Sequence, residues 1–526
     1  MAGPVGRGGS WRRWELAVSS TFPAAAALPA RAVAFRPSAA ELRALAEATP
    51  AARPTRYGSL NLRTRVRARA SASTFLVTDD PEPHGHRPLG REAAARLARL
   101  QDGYMAAHDM VVVDGHLGHG GPCRSAARLV VERAGASVAA MQRELYVDPL
   151  EGGGPHDPAL TVIDTPGLAV PGFPGRRVVA VWLEEGVTRI AGTDFFDEAK
   201  KAALRMLGAR VQRAGGVLLH AACTVVPATA GPRAMLLAGR SGAGKSTLAF
   251  SGTGGARLVQ DDFVALLPGG RVVASEGGCI EKTCGLDPAG QPAIHAAATR
   301  PDAWLENVPQ RGREPDFADP AGQVGRAVFG LGAIPGRWPA ADVPPAAFLV
   351  VVHPGGTVVP AVARLSPEQA AACLLLREQG GPAGGPDRAG ATPPAEQVRH
   401  ALRLAELVRS AGIGAYLLNT GRVGGTAGDE RARSVLVEDS RAILAAIAAG
   451  SVAWGDEDPA GYRLADEVPG VDAELLRPRR LYERQRRRAD HREDRERLAG
   501  ERARYLAGFP GLDPAVAAAL DGRRGP

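Results

Sequence analysis

Ala234-Met-Leu-Leu-Ala-Gly-Arg-Ser-Gly-Ala-Gly-Lys-Ser-Thr-Leu248 is the stretch from which the fold can be read. The apolar run before Gly239 predicts a buried strand, and Lys245, Ser246 and Thr247 open a helix. Between them, Gly239, Arg240, Ser241, Gly242, Ala243 and Gly244 supply a loop that satisfies the pattern G-x-x-x-x-G-K-[ST] in full. Glycines let backbone N–H groups turn toward polyphosphate oxygens, and the helix start adds positive potential. Lys245 is placed to bridge the terminal phosphates and the Ser246 hydroxyl to ligate magnesium. A strand, loop and helix in this order predict an α/β fold with a nucleoside-triphosphate site.

The bulk properties set outer limits. With 526 residues the chain can form two or three cores. A net charge of +8 spread over that length suits anionic small molecules, and no basic stripe interleaved with aromatics argues for nucleic acid. The five cysteines are odd in number and scattered, with no C-x-x-C pair, which argues against a disulfide framework or a zinc ribbon and for a reducing cytoplasm. No run of about 18 uncharged apolar residues predicts a membrane span. Residues 1–35 read as a low-complexity tail and 508–526 as a second one, with domains over 36–215 and 216–507 between them.

Outward from the loop, the pattern alternates strands and helices. Ala39 to Ala48 has helical spacing, and Gly58 to Asp80 alternates like strands, with Arg63, Arg65, Arg67 and Arg69 on one face. Met110 to Asp114 predicts a buried strand running into a loop with His116 and His119, read as polar surface. An amphipathic helix after Ile190 carries Lys200 and Lys201. Gly216 to His220 predicts a strand ending in histidine, and Ala256 to Asp262 one ending in the pair Asp261-Asp262. Ligands collect at the carboxyl ends of strands in open α/β sheets, so His220, the phosphate loop and the aspartates are expected to converge, with the acidic pair serving a divalent cation. Arg377 to Pro394 is Gly/Pro-rich and reads as a loop, and Arg477 to Arg504 as one charged helix.

These segments, in order, resemble ATP-dependent phosphoenolpyruvate carboxykinase. The likeness is carried by the phosphate loop, Asp261-Asp262, Glu276-Gly-Gly-Cys, Leu305-Glu-Asn-Val, Tyr416-Leu-Leu-Asn-Thr-Gly421 and Val468-Pro-Gly-Val-Asp472. The resemblance implies an N-terminal α/β domain packed on a mononucleotide-binding domain, with the active site in the cleft. It implies conversion of oxaloacetate and ATP to phosphoenolpyruvate, ADP and carbon dioxide, an early gluconeogenic step, by a cytoplasmic monomer. By the same likeness, Lys201, His220 and Asp262 ligate Mn2+, and Lys245 and Ser246 serve ATP and Mg2+. Lys200 steadies phosphoryl oxygens, Arg326 neutralises the migrating phosphoryl group, and Arg69 and Phe195 face the substrate carboxylates. The family's adenine-side arginine is either shifted to Arg433 or replaced by Ser434, and Ser440 counts among the nucleotide-binding residues.

The chain also departs from the family. Arg69-Ala-Ser-Ala-Ser-Thr-Phe75 stands where the family has Arg-Ser-Pro-Lys-Asp-Lys-Tyr, and Phe195 replaces an aromatic hydroxyl. Phe263-Val-Ala-Leu266 replaces Glu-His-Gly-Trp, and the lid around Arg377 to Pro394 lacks its Gly-Thr-Glu. Phosphate and metal handling is therefore better kept than carboxylate recognition. Two other readings use the same nucleotide core: a kinase with another acceptor, since His220, the loop and the aspartates also resemble the HPr kinase family, and a non-catalytic nucleotide-binding regulator.

Overall fold

A computed structural model describes residues 28–80, 87–152, 156–239, 242–353, 355–377, 394–426, 428–458 and 461–520. Arg240, Ser241 and most of the Gly/Pro-rich stretch between Arg377 and Pro394 lie outside the described residues. The fold is mixed α/β with three principal sheets.

The first sheet has eight strands, ordered Ala32–Phe35, Asp109–Leu117, Ser125–Glu132, Leu160–Thr165, Val187–Ala191, Val178–Trp182, Thr74–Val77 and Pro88–Leu89. Ala32–Phe35 pairs parallel to Asp109–Leu117, so ordered structure begins before residue 36, inside the stretch expected to be a tail. Val33 is buried and the next strand is nearly all buried, with Met110 to Val113 as an apolar run, which gives this short segment a face to cover.

The second sheet carries the quoted stretch. Strand Arg233–Gly239 lies between Val217–Val226, antiparallel, and Ala346–His353, parallel, with Gly414–Asn419 beyond. Val, Leu and Ala fill these central strands because both faces are covered. One apolar cluster joins Leu236 and Val351 to helix Pro394–Ser410, and another joins Leu237 and Leu248 to helix Val437–Ala449. Phe509, Val516 and Leu520 are buried in the first of these, which ties most of the expected C-terminal tail into the core.

The third sheet stitches distant parts of the chain together. Gly278–Lys282, Arg326–Gly330, Trp304–Glu306, Leu60–Leu62 and Ala52–Pro54 lie side by side, with Leu60–Leu62 parallel to Trp304–Glu306.

Several local expectations change. Only Leu60–Leu62 and Thr74–Val77 of the Gly58 to Asp80 segment are strands, so the four arginines do not share a strand face. The reason is where the backbone donors go. The amides of Arg65 and Val66 donate to Asp194, and that of Ala70 to Glu198, so side-chain carboxylates replace a neighbouring strand. His220 lies within strand Val217–Val226 rather than at its end. The charged C-terminal segment is broken into Pro478–Arg484 and Arg488–Leu506, with Arg486 at φ 57° between them.

Candidate functional site

The neighbour of strand Val217–Val226 changes at His220. Phe263–Leu266 pairs with Val217 to His220, and Arg257–Gln260 with Cys223 to Val225. Asp261 and Asp262 are the break between those two strands, and Asp262 turns the chain at φ 76°. Aspartate is among the few non-glycine residues that tolerate this left-handed conformation, and such strain persists only where surrounding contacts fix it.

Those contacts come from three directions. His220 Nε2 lies 2.8 Å from Asp262 Oδ1, and the Lys200 ammonium is hydrogen-bonded to Oδ2. Lys201 Nζ lies 3.9 Å from the same Oδ2, and Lys200 Nζ 3.5 Å from Glu276 Oε2. Both lysines come from helix Phe196–Arg213, where the absence of Gly and Pro near them favours a continuous first two turns. Phe263 backs the group: its ring stacks on His220 at 4.9 Å between centroids, and Lys201 Nζ sits 4.0 Å from its centre.

Burial and charge set the protonation of this ring. Burial opposes a charge on Lys200, but Asp262 and Glu276 more than reverse it and hold the ammonium firmly protonated. Burial lowers Lys201 below the usual lysine range against the pull of Asp262. It pushes His220 down to about 4, with Asp262 opposing, so the imidazole is neutral near pH 7. Asp262 stays ionised: burial works to raise it, and Lys200, Lys201 and His220 together hold it well below the carboxylate range. Burial raises Glu276 to about 7 and Glu306 to about 8.

A neutral imidazole, an ionised carboxylate and a lysine eased toward its neutral amine form a donor set that suits a divalent transition metal. Among the described residues no group of three His, Cys, Asp or Glu is placed to hold a metal. His116 and His119 are engaged otherwise, with Asp148 at 2.8 Å and the Glu276 carbonyl at 3.0 Å.

Next to this ring lies the loop. Gly242 and Gly244 take φ of 84° and 90°, conformations that need glycine, and helix Lys245–Ala249 follows. Ser246 Oγ donates to Asp261 Oδ2 at 2.7 Å, Thr420 Oγ1 to the Ala243 carbonyl at 2.8 Å, and Gln291 Nε2 to Thr247 Oγ1 at 3.0 Å. Lys245 is buried and close enough to contribute to the lowering of His220. Loop and ring are thus adjacent.

The remaining expected residues divide. Arg69 Nε lies 3.6 Å from Asp197 Oδ2, and Asp197 acts on both lysines. Phe195 is buried at the start of the lysine helix. Arg326 donates to the Gly325 carbonyl and its charge reaches Glu306, whose Oε1 accepts the Phe196 amide at 3.0 Å. Arg69, Phe195 and Arg326 therefore connect to the ring through Asp197, Glu306 and the helix start. Arg433 instead pairs with Asp472 at 2.6 Å and Glu474 at 3.0 Å, Ser434 lies on a two-stranded ribbon, and Ser440 Oγ donates to the Leu436 carbonyl of its own helix.

Sequence reading did not assign Asp197, Glu281 or Glu306 to the site. Asp197 was legible as an acid three residues before Lys200, which is one turn away on a helix. Nothing local marks the other two, because pairing across the third sheet brings them in.

The chain matches the family model described as Phosphoenolpyruvate carboxykinase over residues 31–474. It is 31% identical over 346 residues to a protein of Sinorhizobium medicae named Phosphoenolpyruvate carboxykinase (ATP), covering 61% of this chain and 63% of that relative. A protein of Rhizobium etli with the same name is 28% identical over 483 residues, covering 86% and 88%. The first of these matches spans less than two thirds of the relative's length. No helix among the described residues is long and apolar enough to cross a membrane. With its family model matched across most of its length, this chain belongs to the phosphoenolpyruvate carboxykinase family.

Proposed function

We propose that this chain is an ATP-dependent phosphoenolpyruvate carboxykinase that converts oxaloacetate and ATP to phosphoenolpyruvate, ADP and carbon dioxide. The observation that carries this reading is the meeting of Lys200, Lys201 and His220 on Asp262, beside Ser246 and Lys245. The likeness to relatives named for that ATP-dependent enzyme supports it.

Each residue has a task set by its surroundings. Lys245 and the loop amides from Gly239 to Thr247 hold the phosphates, and Ser246 serves Mg2+. His220, Asp262 and Lys201 would hold Mn2+, which when bound would supply Lewis-acid chemistry to the reaction. Lys200 keeps its proton, orients Asp262 and presents positive charge to the phosphoryl group. Arg326 and Arg69 flank the acceptor and hold anionic oxygens. Decarboxylation yields an enolate, whose oxygen then attacks the γ-phosphoryl group in line, with positioning and electrostatics lowering the barrier. The two-domain division at about residue 215 fits this site, because the lysines precede the boundary and His220 and Asp262 follow it. A cytoplasmic monomer acting on small molecules completes the reading.

One observation favours a second reading. Asp197 competes for Arg69, the guanidinium assigned to the substrate carboxylate. A kinase with a different acceptor on the same nucleotide core accommodates that pair more easily. Purified protein given ATP, Mg2+, Mn2+ and oxaloacetate separates the two. Phosphoenolpyruvate formed with ADP in equal amounts, and lost in Lys245→Ala and His220→Ala, supports the carboxykinase. ATP turnover without phosphoenolpyruvate supports the kinase, and nucleotide binding without turnover a regulator.

A further inference from the structure

One carboxylate beside the phosphate loop has no task in this scheme. Glu281 lies on strand Gly278–Lys282, is 5% exposed, and its Oε1 has no hydrogen-bond partner. Its side chain meets the carboxyl group of Asp261 and the hydroxyl of Ser246. Asp261 is 4% exposed, accepts from Ser246 Oγ at 2.7 Å through Oδ2, and leaves Oδ1 equally without a partner. Two acids in contact and cut off from water repel each other unless a proton or a cation lies between them.

The strand is held so that Glu281 cannot withdraw. Its ladder places Glu281 opposite Ala327, and a Cβ at Gly278 would come within 2.5 Å of the Glu144 carbonyl. Strand alternation puts Cys279 on the same face, but the thiol is engaged with the Asp261 backbone and does not fill the gap. Two carboxylates and a hydroxyl do not make a closed protein cage, in keeping with the absence of any three-residue His/Cys/Asp/Glu group among the described residues. They leave coordination positions for phosphate oxygens and water, which is how Mg2+ is usually held.

We propose that Glu281 joins Asp261 and Ser246 as a direct ligand of the divalent cation that accompanies the nucleotide. A hydroxyl alone takes a cation only together with the nucleotide, whereas two added carboxylates give this site an affinity of its own. The proposal rests on reading Gly239 to Leu248 as the nucleotide site. It differs from a shared-proton pair, in which neutralising Glu281 would cost no cation affinity.

The test uses the full chain and Mn2+ as probe, followed by the electron paramagnetic resonance of the free ion, with and without ATP. The parent is expected to bind two Mn2+ per chain without nucleotide, one at His220 and one at Glu281. Glu281→Gln is expected to weaken one class at least tenfold and leave the other intact, while His220→Ala does the reverse. Parental affinity in both classes for Glu281→Gln, with ATP still bound, overturns the proposal alone. Failure of the parent to bind ATP at all overturns the nucleotide reading itself. Should the glutamine variant not fold, Glu281→Asp keeps the charge but draws it back by one methylene. A smaller weakening of the same class then supports the proposal, and parental affinity overturns it.

Discussion

Arg69 and Asp197 face each other across the mouth of the lysine helix, with Nε and Oδ2 3.6 Å apart. Arg69 Nε makes no hydrogen bond, so the pair is an ionic contact with donors to spare. On the proposed reading, in which Arg69 holds the substrate carboxylate, Asp197 competes with that carboxylate for the guanidinium's charge. Asp197→Ala is therefore expected to lower the KM for oxaloacetate about three- to tenfold, in line with the roughly 1 kcal/mol of a partly exposed ion pair. Steady-state kinetics read this directly, and an unchanged or raised KM would show that Asp197 does not compete.

Lys245 is expected to carry much of the nucleotide's binding. Replacing it with alanine removes a charge-assisted contact of about 1.5–3 kcal/mol, so calorimetry should show ATP affinity falling about ten- to a hundredfold. Thermal stability should stay close to that of the parent. Undiminished ATP affinity would place the phosphates elsewhere.

Glu306 gives a pH signature in stability. Burial raises its carboxyl to about 8, above the value it has when unfolded, so the folded chain binds the extra proton. Its contribution is fully present below about pH 4.5 and is lost as pH rises through 8, with a slope of about 1.4 kcal/mol per pH unit between those limits. Denaturant midpoints measured against pH should show a shallower decline for Glu306→Gln than for the parent. Parallel curves would mean that Glu306 is ionised in the fold.

Away from the site, Asp114 is fully buried and held by two arginines. Arg36 Nε reaches Oδ2 and Arg128 Nε reaches Oδ1, each at 2.8 Å. Removing the carboxylate strands two buried guanidinium groups, so Asp114→Ala is expected to cost about 3–5 kcal/mol in urea unfolding. A loss below about 1 kcal/mol would show that water reaches both arginines.

Much of the site could be read from sequence because its chemistry is local. The Gly239 to Leu248 stretch needs only its own glycines and Lys245, and Lys200 and Lys201 share one amphipathic helix. The Asp261-Asp262 pair was legible, but its geometry was not. The left-handed turn at Asp262 arises from contacts with Lys200 and His220 that are distant in sequence. The arginine series was misread for a related reason: alternation from Arg63 to Arg69 mimics a strand, but Asp194 and Glu198 take the amides a strand would have paired. Glu281 and Glu306 were hidden because only the cross-strand register of the third sheet delivers them to the loop and the helix start.

The arrangement of Lys201, His220 and Asp262 around one position is the geometric core of the carboxykinase reading, and Mn2+ anomalous scattering from crystals of the full chain tests it most directly. The expected result is a peak within bonding distance of His220 Nε2, an Asp262 oxygen and Lys201 Nζ, and its loss in His220→Ala. A map in which no Mn2+ touches His220 or Asp262, at a concentration where phosphoenolpyruvate formation is saturated, would contradict it.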